Sequence, residues 1–177
     1  MNYEEAFNEL KNRGSNRKEP ALDSTRESLE KLDNPESSYE TVLVGGTNGK
    51  GSSVAMLSAI FNAAGYKVGT YTSPHIVSFN ERIQINNQPV SEQFIVDAFT
   101  AIELAREETK LTYFEFSTLA ALLVFTESPL DVVILEVGLG GRLDAVNVVD
   151  ADATLITAID IDHIEWLGDD RSIIATE

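Results

Sequence analysis

The sequence predicts an α/β fold of three layers, a mostly parallel sheet flanked by helices. Short apolar runs rich in β-branched residues alternate with longer segments of helical periodicity along the chain. The run at residues 41–44 passes through glycines directly into a helical pattern, which is the order strand, loop, helix. Residues 131–137 are apolar nearly throughout, as in a strand buried on both faces. Strands that alternate with helices in this way form parallel sheets.

Two helices are predicted before the first strand. Ala6, Phe7 and Leu10 have helical spacing within residues 2–12, and residues 13–16 break the pattern. Ser24 and Glu27 have the spacing of a capping box, so the second helix is expected over residues 24–33. A linker should follow at residues 34–40.

The sequence pattern after Lys50 predicts the remaining helices and strands. A helix should follow Lys50 and end near Gly65, and Asn86 and Asn87 between apolar residues suggest a small hairpin. Further helices are expected at residues 91–108 and 114–127, and further strands at residues 67–72, 131–137 and 153–159, the last also buried on both faces. In parallel sheets ligands bind at the carboxyl ends of the strands, and the glycine and polar clusters fall there.

The first of these clusters predicts a P-loop-type site for a nucleoside triphosphate. It comprises Gly46, Thr47, Asn48, Gly49, Lys50, Gly51 and Ser52. Glycines let backbone N–H groups close around a phosphate, and Lys50 supplies a mobile cation. The general pattern G-x-x-x-x-G-K-[ST] would need glycine at Val44 and a hydroxyl at Gly51, so the nearest hydroxyl is that of Ser52. A plain turn before a helix needs one glycine at positive φ, not four around a lysine.

Two further strand ends carry candidate metal ligands. Glu136 is an acidic residue inside an apolar strand, a position that is costly unless the carboxylate is paired or bound to a metal. Its place near the strand end is where a carboxylate would meet the magnesium of a bound nucleotide, although a buried salt bridge is the alternative. His163 follows Asp160 and Asp162 after the last strand, and this position favours a metal ligand. The alternative is a surface or hydrogen-bonded residue, as a lone histidine more often is, and imidazole suits manganese or zinc better than magnesium. His75 is interpreted as a structural loop residue.

Composition excludes several classes of protein. The 177 residues include 13 basic and 29 acidic side chains, giving a formal net charge of −16, opposite to that of a nucleic-acid binder. No cysteine is present, which excludes disulfides and thiolate metal sites and fits a reducing compartment. The N-terminus lacks a signal-peptide pattern, and no apolar run reaches membrane-spanning length. We therefore expect a cytoplasmic protein without membrane or nucleic-acid partners.

Six blocks of sequence, in order, resemble the folylpolyglutamate synthase/dihydrofolate synthase family of the Mur ligase superfamily. These are residues 46–52, 71–75, 80–83, 111–115, 136–147 and 162–168. The resemblance implies a domain like the Mur ligase central domain. It also implies an ATP-dependent ligase that joins L-glutamate to dihydropteroate or a folate through an acyl phosphate. ATP as substrate, Mg²⁺ or Mn²⁺ as cofactor and a monomeric state are implied with it.

The resemblance also implies roles for individual residues. Thr47 to Lys50 would hold the ATP phosphates, and Ser73, Glu136 and His163 would ligate the metals, with Lys50, Glu136 and His163 acting in catalysis. Contacts to the pteroate would come from two segments: Thr112, Tyr113, Phe114 and Glu115, and Leu143, Asp144 and Ala145. Asp144 would accept hydrogen bonds from the pterin amino and ring N–H groups.

This chain departs from the family pattern in three places. Val146 stands where the family usually has threonine, and Glu19-Pro20-Ala21 stands where a substrate loop normally carries glycine. The family also continues past Glu177 into a lysine, carbamylated in many members, that ligates a second metal, and then into a C-terminal domain. Residues 1–177 are therefore expected to be an incomplete ATP-binding domain, inactive by itself.

Three alternatives stay open. The first is a Mur-type ligase that acts on a nucleotide-linked muramyl acceptor, and the second is a nucleotide- or pterin-binding module without catalysis. The third is a P-loop ATPase that hydrolyses ATP without an acceptor.

Overall fold

The computed structural model describes residues 2–12, 22–32 and 38–177. The expected helix break at residues 13–16, the segment Glu19-Pro20-Ala21 and most of the expected linker lie outside these ranges. The helices are α1 Tyr3–Lys11, α2 Asp23–Lys31, α3 Lys50–Ala63, α4 Glu92–Arg106, α5 Tyr113–Thr126, α6 Ile164–Leu167 and α7 Arg171–Ile174. The strands are β1 Glu40–Gly45, β2 Val68–Tyr71, β3 Ile83–Ile85, β4 Gln88–Pro89, β5 Val132–Glu136 and β6 Ala153–Ile156, with 3₁₀ turns at Phe79–Arg82 and Ala145–Val148.

The described strands form one sheet in the order β4-β3-β2-β5-β1-β6. β5 lies parallel between β2 and β1, and β6 pairs in parallel with the other edge of β1. β3 and β4 form the expected hairpin, antiparallel to β2 and to each other. Asn86 and Asn87, at its turn, have φ of 51° and 61°, as a two-residue type I′ turn requires. The predicted mostly parallel sheet is confirmed.

One face of the sheet is covered by α3. Val54 of this helix packs with Val44, Val68, Val132 and Ile134 of the strands, and each of these side chains is buried. The α3 segment follows directly from β1, so burying its apolar stripe fixes the loop between strand and helix against the sheet.

The opposite face is covered by α5, with α1, α2 and α4 packed outside it. Ten residues of α5 are buried, so this helix is apolar on nearly all sides and requires a second helical layer over it. Phe99 of α4 meets Phe116 of α5 at 5.1 Å between ring centroids, in an edge-to-face contact. The three-layer architecture is thus confirmed.

Two local predictions are wrong. α2 already includes Ser24, and its N-cap is Leu22, which makes no side-chain cap hydrogen bond, so the expected capping box does not start this helix. β6 is shorter than predicted, and all four of its residues are exposed. It is buried on neither face because it lies at the edge of the described sheet with only β1 beside it. In the described ranges, no helix has the length and apolar character needed to cross a membrane.

Candidate functional site

The glycine-rich loop between β1 and α3 has a backbone that its glycines dictate. Gly46 has φ of 126° and Gly49 has φ of 89°, a region that L-residues rarely adopt. A Cβ on Gly46 would lie 2.1 Å from the Thr157 Oγ1, whereas a Cβ on Gly49 would meet nothing within 4 Å. Glycine is therefore required at Gly46 by both the positive φ and the close packing, and at Gly49 by the positive φ alone.

Lys50 begins α3 and points back over the loop. Its Nζ donates hydrogen bonds to the carbonyl oxygens of Gly46 at 2.7 Å and Thr47 at 3.3 Å. The N-cap of α3 is Gly49, which has no side chain to cap the helix. Of the first-turn N–H groups, that of Gly51 is bonded to the Glu136 carboxylate. A cation and a helix N-terminus whose N-cap supplies no acceptor together form a site for a phosphate.

Glu136 ends β5 next to this loop, in register with Val44 of β1. Its side chain is buried, and its Oε2 accepts a hydrogen bond from the backbone N–H of Ser73 at 2.9 Å. Burial raises the pKa of this carboxyl, while the N–H groups of Ser73 and Gly51 and the charge of Lys50 oppose the increase. No basic side chain of the described residues forms an ion pair with it, so the alternative of a buried salt bridge is not supported within them.

The third predicted metal ligand, His163, has a different environment. Its side chain is 56% exposed, and its Nε2 lies 3.9 Å from the Asp162 Oδ2. Across the described ranges, no group of three or more His, Cys, Asp or Glu side chains is arranged to hold a metal ion. A metal here would use the donor set that was predicted, namely the carboxylate of Glu136, the hydroxyl of Ser73 and the imidazole of His163. Oxygen donors with one imidazole suit Mg²⁺ or Mn²⁺.

A cavity of about 580 Å³ connects these residues. Its lining includes Gly46, Thr47, Lys50, Ser73, Glu136 and His163. The volume is within the range of small-molecule sites in proteins. Three residues of the loop, Gly46, Thr47 and Lys50, thus share one cavity with the three predicted metal ligands at the carboxyl ends of β1, β2, β5 and β6, and the roles of these residues stay predictions. Asn48, Gly49, Gly51 and Ser52 do not line this cavity.

The segment from Thr157 to Asp160, which follows β6, contacts the glycine-rich loop, and the sequence does not predict this contact. The backbone N–H of Thr47 donates to the Ala158 carbonyl oxygen at 2.8 Å, and the hydroxyl of Thr47 donates to the Asp160 carbonyl oxygen at 3.0 Å. Thr157 donates its hydroxyl to the Gly45 carbonyl oxygen at 2.9 Å. This segment therefore holds the first half of the glycine-rich loop. Its sequence carries no phosphate-binding pattern, and only the pairing of β6 with β1 brings it there.

The predicted pteroate segment at the start of α5 forms a capping box. Thr112 accepts from the backbone N–H of Glu115 at 3.3 Å, and Glu115 accepts from the backbone N–H of Thr112 at 2.7 Å. Phe114 packs over Gly138, where a Cβ would lie 2.5 Å from the ring. The spacing of Thr112 and Glu115 is therefore explained by helix initiation, and their role in binding substrate stays a prediction.

The carboxylate of Asp144 is likewise hydrogen-bonded to backbone N–H groups. Its Oδ2 accepts from the N–H groups of Gly138 at 3.0 Å and Leu139 at 2.8 Å, and its Oδ1 accepts from Val146 at 3.1 Å. Burial raises the pKa of this carboxyl to about 6 despite these bonds. Three of about four acceptor positions are used, so pairing with a pterin through both oxygens would require the loop to rearrange. Leu143 is partly exposed and Ala145 is buried.

Similarity to known proteins covers most of this chain. Residues 44–177 match the Mur ligase middle domain model, which covers the glycine-rich loop, Ser73, Glu136 and His163. The chain belongs to the Mur ligase middle domain family. The dihydrofolate synthase/folylpolyglutamate synthase of Escherichia coli K12 is 54% identical over 134 residues, which are 76% of this chain and 32% of that protein.

Two solved structures extend the likeness. E. coli FolC in complex with DHPP and ADP has a TM-score of 0.93 and 43% identity to this Mur ligase middle domain, over 98% of this chain and 42% of that chain. The bifunctional folylpolyglutamate synthase/dihydrofolate synthase of Yersinia pestis, complexed with AMPPNP and a Mn ion, has a TM-score of 0.91 and 45% identity over 98% of this chain and 42% of that one. The chain thus spans less than half the length of the proteins it matches.

Proposed function

We propose that this chain forms the ATP- and metal-binding part of an ATP-dependent ligase that joins L-glutamate to dihydropteroate or a folate. One observation carries the proposal: Lys50 lines one cavity with the buried Glu136, which has no ion-pair partner among the described residues, at the carboxyl ends of adjacent strands. A cation and a carboxylate so placed suit a triphosphate with its divalent metal. The names and ligands of the relatives point to the same substrates.

The chemistry follows from the difficulty of joining a carboxylate to an amine. A carboxylate is a poor electrophile, and transfer of the γ-phosphoryl group makes it an acyl phosphate that an amine can attack. When ATP binds, Lys50 exchanges its hydrogen bonds to the Gly46 and Thr47 carbonyl oxygens for contacts with the phosphates. The ammonium charge then lies where negative charge develops on the leaving ADP. Ser73, Glu136 and His163 would hold a divalent metal, which would supply positive charge that offsets the negative charge of the phosphates.

The acceptor and the second substrate are assigned by the same proposal. Thr112 to Glu115 and Leu143 to Ala145 contact the pteroate, and L-glutamate supplies the amine. We propose that the protein acts in the cytoplasm as a monomer, without nucleic-acid or membrane partners. The net charge of −16 supports the absence of nucleic acid.

Nucleotide binding tests the first half of the proposal. Isothermal titration of the chain with AMPPNP and Mg²⁺ should give saturable binding that chelation of the metal weakens. Lys50→Ala should weaken it by about tenfold or more, because a charge-assisted contact to phosphate is lost. Lys67→Ala, at an exposed position before β2, is the matched control and should bind as the wild type does.

A chimera tests the ligase assignment. In the E. coli relative, the matched segment is replaced by the corresponding residues of this chain, and incorporation of radiolabelled L-glutamate is measured with dihydropteroate as acceptor. We expect ligation that the Lys50→Ala chimera loses and the Lys67→Ala chimera retains. Ligation to a UDP-muramyl acceptor instead, or ATP hydrolysis that does not depend on any acceptor, would contradict the proposal.

A further inference from the structure

Arg82 is a buried cation close to the candidate site. It ends the 3₁₀ turn after β2 and is only 7% exposed. Its carbonyl oxygen accepts a hydrogen bond from the backbone N–H of Thr72 at 2.9 Å, which ties the turn to the end of β2 beside Ser73. Arg82 therefore lies next to the end of β2 that carries Ser73, without lining the cavity described above.

The guanidinium of Arg82 is held in a fixed orientation. Its Cζ lies 5.9 Å from the ring centroid of Phe79 and 5.3 Å from that of Tyr113. Its Nε donates to the His75 Nδ1 at 2.8 Å, so the imidazole is a neutral acceptor there. Burial and the charge of Arg82 both lower the pKa of His75, in agreement with a neutral ring. His75 is thus a structural loop residue that positions Arg82.

Arg82 has no anionic partner in the described part of the chain. None of the carboxylates there lies within ion-pair distance of it, and none of those residues accepts a hydrogen bond from its Nη1 or Nη2. The adjacent Glu81 is occupied, since its carboxylate accepts from the backbone N–H groups of Ile76, Val77 and Ser78. Buried charges are rare unless paired, so two oriented and unused amino groups indicate a site for an anion.

We propose that Nη1 and Nη2 of Arg82 bind the carboxylate of the acceptor, and that this acceptor is an aryl carboxylic acid. A planar fork of N–H donors matches a carboxylate in a bidentate geometry. The guanidinium lies over the ring of Tyr113 and close to that of Phe79, so a carboxylate bound to it would have aromatic surroundings, which suit an aryl group. Because the backbone of Arg82 is bonded to that of Thr72, next to Ser73, this carboxylate would lie on the side of the proposed metal site. The inference rests on the proposed function, which requires a carboxylic acid acceptor, and it adds the residue that anchors it.

Small ligands that differ only in charge test this contact. The measurement follows the NMR signal of the Arg82 Nε–H group in the ¹⁵N-labelled chain during titration with 4-aminobenzoate and with 4-aminobenzamide. The signal is assigned by its disappearance in Arg82→Met. We expect the acid to shift the signal and to bind about tenfold more tightly than the amide, because the amide lacks the charge that the guanidinium recognises. Arg82→Met should remove the preference for the acid. Arg26→Met, the same substitution at an exposed arginine of α2, should keep it.

Several outcomes would overturn the inference. These are an Arg82 signal that neither ligand shifts, equal shifts and affinities for acid and amide, or a preference for the acid that survives in Arg82→Met. If Arg82→Met does not fold by circular dichroism, Arg82→Lys replaces it and should show a reduced preference, since a point charge cannot form the bidentate fork. Binding of AMPPNP with Mg²⁺ is measured on the same samples. If the wild type did not bind AMPPNP with Mg²⁺, that result would count against the proposed function, and the result for Arg82 could still be interpreted.

Discussion

The backbone N–H of Ser73 donates to the buried Oε2 of Glu136 at 2.9 Å, and this bond joins the ends of β2 and β5. Glu136 also accepts from the backbone of Gly51 in the first turn of α3. One carboxylate therefore links three elements that surround the cavity. These bonds hold the ionised carboxylate in place although its burial favours the neutral form.

This arrangement predicts a conflict between stability and function at Glu136. Because burial raises the pKa of Glu136, its ionisation is less favourable in the folded than in the unfolded protein, and Glu136→Gln removes that charge. At pH 7 we expect a free energy of unfolding that is unchanged or higher, measured by urea denaturation. Affinity for AMPPNP with Mg²⁺ should nevertheless fall by about tenfold or more, since a proposed metal ligand is lost. Glu108→Gln, which removes an exposed charge, should alter neither quantity, and tight metal-dependent binding by Glu136→Gln would refute the assignment.

The two glycines at positive φ in the glycine-rich loop should tolerate alanine differently. Gly46→Ala combines an unfavourable backbone with a Cβ at 2.1 Å from the Thr157 Oγ1, whereas Gly49→Ala has the backbone penalty alone. We expect each variant to lose about 1 kcal/mol or more from strain, and Gly46→Ala to lose clearly more in thermal or urea unfolding. Adding Thr157→Ala to Gly46→Ala removes the blocking oxygen and should recover part of the difference. Equal losses at the two glycines would show that the contact with Thr157 does not matter.

Asp144 should make stability depend on pH. Its pKa in the folded protein is about 6, above the ordinary value of 3.8, so the folded state binds more protons between these values. The stabilisation is therefore complete below about pH 4 and is lost as pH rises through about 6, by up to about 3 kcal/mol for a shift of this size. Urea denaturation of the wild type and Asp144→Asn at several pH values measures it. The difference between the two proteins should change in this window, and parallel curves would contradict the shift.

The contact between Phe114 and Gly138 predicts a compensating pair of substitutions. A Cβ on Gly138 would lie 2.5 Å from the Cζ of Phe114, so Gly138→Ala must displace the ring. Overpacking of this kind typically costs about 1–3 kcal/mol. Phe114→Leu in the Gly138→Ala background shortens the side chain and should restore part of the stability, as measured by thermal unfolding. If the two losses simply add, the residues are not coupled.

The fold was predictable from sequence because periodicity and glycines act locally. The positions of the hairpin turn at Asn86 and Asn87, and of the loop before Lys50, follow from backbone conformations that few residue types adopt. The burial of β6 was not predictable, because it depends on which strands lie beside it and not on its own apolar run. The start of α5 is readable, since Thr112 and Glu115 have capping-box spacing, whereas their role in binding substrate is implied only by the family resemblance. Arg82 gave no signal, because nothing in a sequence shows that a cation is buried.

The edge position of β6 affects how this polypeptide behaves in solution. Its outer edge has no strand beside it within the described sheet, and Leu155 and Ile156 are exposed there. Such an edge is a template on which another chain can add a strand, which is a common route to aggregation. The net charge of −16 gives every molecule a strong mutual repulsion that keeps these edges apart. Salt screens that repulsion, so light scattering of the protein should increase as ionic strength rises.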